Sequence, residues 1–153
     1  MKISIGADHA GYEMKMRLIE LIEKLGHTVH DVGTHEPGKP DDYPDYAILV
    51  AKDIRGGNAE RGILVCGSGV GVSVAANKFR GIRAGLCHDH YSAHQGVEHD
   101  DMNVLVLGAR IIGQMLAEDA TEAFLSAKFS GEERHVRRLS KVKGIEDDEF
   151  SQH

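Results

Sequence analysis

No stretch of this chain approaches the ~20 consecutive apolar residues that a membrane-spanning helix needs, so no membrane partner is expected. Disulfide scaffolding is also missing. The only two cysteines, Cys66 and Cys87, each close a short apolar run and read as free thiols in a reducing compartment, the cytoplasm. A signal peptide is not expected either, because Met1-Lys2-Ile3-Ser4-Ile5-Gly6 runs at once into Asp8 and His9. Positive charge is not in excess. A net charge of −6 argues against general binding to nucleic acid. Internal repeats and low-complexity segments are absent. What remains, 41% hydrophobic and 27% charged over 153 residues, is a globular chain. That length suffices for one domain with its own core and is too short for two ordinary ones.

Three familiar loop motifs are missing where they would be looked for. The chain is organised around residues 62–78, which open Gly62-Ile63-Leu64-Val65-Cys66-Gly67-Ser68-Gly69-Val70-Gly71. A dinucleotide fingerprint begun at Gly67 needs a glycine where Val72 stands. A nucleotide P-loop needs Gly-Lys-Ser or Gly-Lys-Thr, and neither occurs here. A thiol phosphatase loop needs an arginine six residues after the cysteine, and that position is again Val72.

What is present is a buried-strand pattern, Ile63-Leu64-Val65, that ends at a thiol, followed by alternate glycines and then a helix start. Such a strand, turn and helix would put Cys66 at the carboxyl end of a central strand, where open α/β sheets bind ligands. Crowded backbone N–H groups there suit an anion and predict a depressed thiol pKa, about 3.5–7.5. A thiol beside a nest of amides has the parts to move a proton next to a carbonyl and hold the oxyanion that forms. The stretch equally fits a small apolar cysteine that merely finishes a core strand beside a tight turn.

Strand and helix patterns alternate along the chain. Strands are expected over residues 2–6, 28–32, 62–66, 83–87 and 103–107. Helices are expected over 11–25, 46–54, 72–76, 90–95, 114–129 and 132–142, with a loop at 33–44. Five short apolar strands alternating with helices predict an α/β fold, a Rossmann-like (flavodoxin-like) three-layer sandwich on a five-stranded parallel sheet. In such a sheet the loops after the strands share one edge. That edge would gather Asp8-His9, Gly33-Thr34, Cys66-Gly67-Ser68, His88-Asp89-His90 and Gly108-Ala109-Arg110. Residues 99–103 precede the last strand and fall at its other end unless the helix before them stays on the ligand side. Asp8 fits a helix N-cap as well as a ligand contact. His88-Asp89-His90 are adjacent and have no spaced partner, so no metal site is expected. From Arg134 to Lys143 there are five basic residues and no acidic one, before the acidic Glu146-Asp147-Asp148-Glu149. That basic helix and tail, 132–150, is either a solvated face or a patch for a small anion.

Seven segments carry a resemblance: Gly6-Ala7-Asp8-His9-Ala10-Gly11, Asp42-Tyr43-Pro44, residues 62–71, Ala75-Ala76-Asn77-Lys78, Gly81-Ile82-Arg83-Ala84, Tyr91-Ser92-Ala93, and Arg134-His135 with Arg138. In them, and in register over almost its whole length, the chain resembles the type B ribose-5-phosphate isomerases. The resemblance implies a cofactor-free aldose–ketose isomerase of the pentose phosphate pathway. Its substrate would be ribose 5-phosphate, or else allose 6-phosphate or galactose 6-phosphate. It implies a homodimer or a tetramer with sites at the subunit interface. A sugar-phosphate-binding protein without turnover is the other class that keeps these residues.

By the same resemblance, Cys66 is the proton-transferring base. Ser68 and the amides of Gly67, Gly69, Val70 and Gly71 hold the enediolate oxygens, and His99 opens the sugar ring. Asp8 and His9 contact the substrate, and Arg110, Arg134 and Arg138 hold its phosphate and hydroxyls, a task that suits the bidentate guanidinium. The family pattern at the ring-opening loop is His-Asn-Asp, and this chain has His99-Asp100-Asp101. An ionised Asp100 accepts hydrogen bonds but donates none and would repel a developing enediolate, so as a substrate-binding residue Asp100 is either protonated, in contact with a sugar hydroxyl instead, or the mark of a substrate other than ribose 5-phosphate.

Overall fold

The computed structural model describes residues 1–151. Strand β1 (Lys2–Ala7) leads through a 3₁₀ turn (His9–Gly11) into helix α1 (Tyr12–Lys24) and strand β2 (Thr28–Asp31). Helix α2 (Tyr43–Arg55), strand β3 (Arg61–Cys66), helix α3 (Val70–Ala76) and strand β4 (Ala84–Leu86) follow. The chain continues with α4 (His90–Asp100), β5 (Val104–Gly108), α5 (Gln114–Ser126) and α6 (Glu133–Phe150).

The five strands form one parallel sheet in the order β2-β1-β3-β5-β4. The expected α/β class holds. The order differs from the flavodoxin order 2-1-3-4-5 in its last two strands. β3 therefore lies between β1 and β5, and the chain leaves β1 in one direction and β3 in the other. At such a reversal open α/β sheets bind their ligands, and here Asp8 and Cys66 stand there, at the carboxyl ends of β1 and β3.

Alternation along the strands feeds two cores. Ile3, Ile5, Ile63, Val65, Leu105 and Leu107 pack with α1, α4 and α5, centred on Leu18, Ile22 and Phe124. Leu64, Cys66, Val104 and Val106 face the other way, onto Val50 of α2 and Val72 of α3. Each such side chain, withdrawn from water, contributes about 1.5–3 kcal/mol. A strand shifted by one residue would exchange the two sets, so register and core are specified together.

Polar pins fix what packing leaves free. Lys15 is fully buried, and its Nζ donates to Asp31 Oδ1 at 2.6 Å and to the Thr34 carbonyl at 2.9 Å, fastening the loop after β2 to α1. Arg61 donates to the carbonyls of Phe124 and Ala127, a cation at the open end of α5 where the helix dipole favours one.

Four helices depart from the sequence expectation, and α5 is the one that falls short, ending at Ser126 rather than near 129. α2 begins at Tyr43, so Pro44 lies inside its first turn, where a missing N–H costs no helical hydrogen bond. α4 continues to Asp100, although only Ala93 and Val97 are buried along it. α6 runs on through the acidic segment to Phe150. There Glu146 accepts from the Gly81 N–H at 2.8 Å, and Asp147 pairs with Arg80.

Candidate active site

The glycine turn after β3 is shaped by what passes close to it. Gly69 has φ +81°, and a Cβ there would lie 2.7 Å from Leu86 and 3.2 Å from the Leu107 carbonyl. Only glycine accepts both constraints at little cost. A Cβ on Gly71 would lie 2.5 Å from the ring of Tyr43, the first residue of α2, so that ring closes one side of the turn. Arg110, after β5, lies over Gly67, with its Nη1 3.3 Å from where a Cβ would be. Its backbone N–H donates to the Gly67 carbonyl at 3.0 Å. The Ser68 hydroxyl accepts from the Val70 N–H at 3.2 Å.

Cys66 sits inside this turn, buried except for 8% of its surface. Its Sγ donates to Asp8 Oδ2 at 3.3 Å, while Asp8 Oδ1 accepts from the Gly11 N–H at 3.1 Å. Asp8 is therefore both the cap of the 3₁₀ turn and the partner of the thiol. Burial pushes the Cys66 pKa up, and the Asp8 carboxylate, by accepting the S–H and by its charge, pushes it further. The N–H groups of Gly67 and Gly69 pull it down without compensating. The depressed thiol expected from the glycine turn is thus overturned. A full negative charge one hydrogen bond away outweighs two amide dipoles.

The state of the thiol can be read directly. With iodoacetamide and peptide mapping to separate the two cysteines, Cys66 should alkylate with a pH midpoint above that of a free thiol. Asp8→Asn, which removes the charge opposing the thiolate, should lower that midpoint. A wild-type midpoint at or below the free-thiol value would contradict the assignment. Cys87, its pKa pushed up to about 11 chiefly by burial, serves as the unreactive internal control.

His9 is exposed beside Asp8, and its Nδ1 lies 2.6 Å from Asp41 Oδ1. Asp8, His9 and Asp41 present possible metal-ligand atoms within 4.8 Å of one another. Their oxygens are already engaged, those of Asp8 by Gly11 and Cys66 and those of Asp41 by His9 and by Tyr46, whose hydroxyl donates at 2.7 Å. His88 and Asp89, also on this edge, are structural. His88 Nε2 accepts from the Gly108 N–H at 3.0 Å, and Asp89 caps α4 through the Ser92 N–H at 2.7 Å.

Thus Asp8, His9, Cys66, Gly67, Ser68, Gly69, Val70, Gly71 and Arg110 meet at the carboxyl edge of the sheet. His99, Asp100, Arg134 and Arg138 do not. Because α4 extends to Asp100, these residues lie at the opposite edge, before β5 begins at Val104. The length of β5 alone separates the two edges by roughly 13 Å. At that far edge the His99 ring stacks on His135 with centroids 4.0 Å apart, and its Nδ1 meets Gln95 Nε2 at 2.9 Å. His135 is buried, and its Nε2 has no hydrogen-bond partner among the described residues. Asp100 and Arg138 help line a cavity of about 710 Å³ between α6 and the start of β4. Arg134 is exposed, with its Nε 3.2 Å from Glu132.

Sequence reasoning passed over two residues of the carboxyl edge. Tyr43 was legible as part of Asp42-Tyr43-Pro44 but carried no role, and Asp41 had no signal beyond standing in an acidic pair.

Residues 3–142 match the Ribose/Galactose Isomerase family. The chain is 43% identical to ribose-5-phosphate isomerase B of Escherichia coli, over 95% of this chain and 96% of that protein. To D-erythrulose-4-phosphate isomerase of Pectobacterium atrosepticum it is 41% identical, over 86% of each. The solved structure of ribose-5-phosphate isomerase B from Clostridium thermocellum superposes with a TM-score of 0.93 at 44% identity, covering 97% of this chain and 99% of that one. Matched by the family over residues 3–142 and by these relatives over nearly its whole length, the chain belongs to the Ribose/Galactose Isomerase family.

Proposed function

We propose that this aldose–ketose isomerase interconverts ribose 5-phosphate and ribulose 5-phosphate, with the Cys66 thiolate as the base that carries a proton between C2 and C1. The observation that carries the reading is the 3.3 Å contact between Cys66 Sγ and Asp8 Oδ2 inside the glycine turn. Asp8 is the nearest acceptor for the thiol proton when substrate enters. A thiolate formed against burial is a stronger base than an ordinary one, as removal of a carbon-bound proton demands.

In the forward direction the thiolate takes the C2 proton while the C1 carbonyl becomes an enediolate oxygen. Amides of the turn and the Ser68 hydroxyl stabilise that charge. The thiol then returns its proton to C1, and the C2 hydroxyl passes its own to the C1 oxygen, so that C2 becomes the ketone and C1 the alcohol. His99 opens the ring, His9 contacts the sugar, and Arg110, Arg134 and Arg138 hold the phosphate and hydroxyls.

Those roles need two copies of the chain. A homodimer would join the Cys66 edge of one copy to the His99 edge of the other. Val70 and Val74 support this, since they stand 55% and 57% exposed beside the glycine turn, as residues of a covered face would in an isolated chain.

Two of the relatives described above are named for ribose 5-phosphate, which favours the five-carbon sugar. A second reading, isomerisation of a different sugar phosphate, is favoured by Asp100, whose carboxylate cannot donate to a substrate oxygen. The test is a panel of tetrose, pentose and hexose phosphates followed for ketose formation, with deuterium incorporation from heavy water. Ribose 5-phosphate should give the highest kcat/KM. Preference for another sugar would move the assignment to that sugar, and binding without turnover or exchange would make the protein a sensor. On ribose 5-phosphate, Asp100→Asn should raise kcat/KM about fivefold, the worth of ~1 kcal/mol for one restored hydrogen bond. An unchanged rate on every sugar would leave Asp100 without a part.

A further inference from the structure

Asp41 lies in the loop between β2 and α2, with its side chain 14% exposed, and all its polar contacts converge on one neighbour and one anchor. Its Oδ1 accepts from the His9 backbone N–H at 3.2 Å and faces His9 Nδ1 at 2.6 Å, while its Oδ2 accepts from the Tyr46 hydroxyl at 2.7 Å. Burial alone would raise the Asp41 pKa. Hydrogen bonds from the His9 ring, from Tyr46 and from the His9 backbone outweigh it and hold the carboxyl below its ordinary range. The loop itself is fastened by Lys15 at the Thr34 carbonyl and by Tyr46 on the rigid body of α2.

We propose that Asp41 is the positioning residue for His9, fixing its Nδ1–H tautomer and aiming Nε2 at the substrate. A carboxylate only accepts, so the ring nitrogen facing it carries the proton. The other nitrogen then presents a lone pair to a sugar hydroxyl, or an N–H to an anionic oxygen when the ring is protonated. Tyr46 holds the carboxylate from behind, completing a relay Tyr46–Asp41–His9 that ends beside Asp8 and Cys66. This role rests on the isomerase reading of the same site, in which His9 touches the sugar.

Two measurements test it. In the substrate-free protein at about pH 8, above the ordinary imidazole range, nitrogen-resolved imidazole spectra should show His9 as the Nδ1–H tautomer. Asp41→Ala should return it to the Nε2–H form. An Nε2–H ring in the wild type would overturn the proposal without any variant having to fold. In steady-state isomerisation, His9→Ala and Asp41→Ala should each lower kcat/KM about tenfold or more. The double variant should be no slower than the slower single one, and Asp41→Asn, whose amide oxygen still accepts, should recover most of the loss. Losses that multiply would mean that Asp41 acts independently of His9 and would overturn the inference. Tyr46→Phe, which loosens the loop but keeps the His9 contact, should lose less than Asp41→Ala, and an equal loss would reduce Asp41 to a loop anchor. A wild type inactive on every sugar phosphate would instead sink the isomerase reading while leaving the tautomer result intact.

Discussion

Cys66→Ala should lower kcat for aldose–ketose interconversion by about 10²–10⁴-fold, the usual worth of a positioned proton-transfer group. Sugar-phosphate affinity, measured as competitive inhibition or by calorimetry, should change little, because in the proposed mechanism the thiol acts on a carbon-bound proton while other groups hold the sugar. Substrate incubated with the variant in heavy water should stay undeuterated at C2. Cys66→Ser is the sharper comparison. It nearly preserves volume and hydrogen bonding to Asp8, but a hydroxyl far harder to ionise than a thiol should leave it close to the alanine variant. Full turnover by either variant would remove sulfur from the mechanism and pass the proton to Asp8, the other group in contact with that position.

Two disabled chains should rescue each other. One carries Cys66→Ala, and the other carries His99→Asn with Arg138→Ala at the far edge of the sheet. Each alone should be nearly inactive. Mixed in equal amounts through an unfolding and refolding cycle, half the dimers are hybrids, and each hybrid holds one site with both lesions and one with neither. About a quarter of wild-type activity should return, as the two-fold symmetry of a dimer requires. Hybrids detected by native mass spectrometry without recovered activity would mean that the two edges never meet in one site. The largest assumption of the functional reading would then fail, because roughly a strand's length of protein divides these residues within a chain.

Residues 63–65 show why the strands were readable. A continuous apolar run between glycine and a glycine turn has few alternatives to a strand covered on both faces. The strand order was not readable, since both placements of β4 and β5 satisfy right-handed crossovers. α4 was expected to stop near residue 95, with Gly96 the next residue, and the structure buries only two of its residues. Its real length, to Asp100, decides on which side of the molecule His99 stands. α6 was expected to end near residue 142 because an acidic run resembles a solvated tail. Contacts with Gly81 and Arg80, distant in sequence, hold that run against the body. The thiol's acidity was misjudged for the same reason. The glycines beside Cys66 were visible, whereas the carboxylate that outweighs them lies 58 residues away.

Oxidants such as peroxide attack sulfur as its anion, and sulfenic acid forms slowly on a cysteine that keeps its hydrogen. Cys66, buried and with its proton held against Asp8, is such a cysteine. In the mechanism proposed above the thiolate exists only with substrate in place, so peroxide should inactivate the protein faster during turnover than at rest.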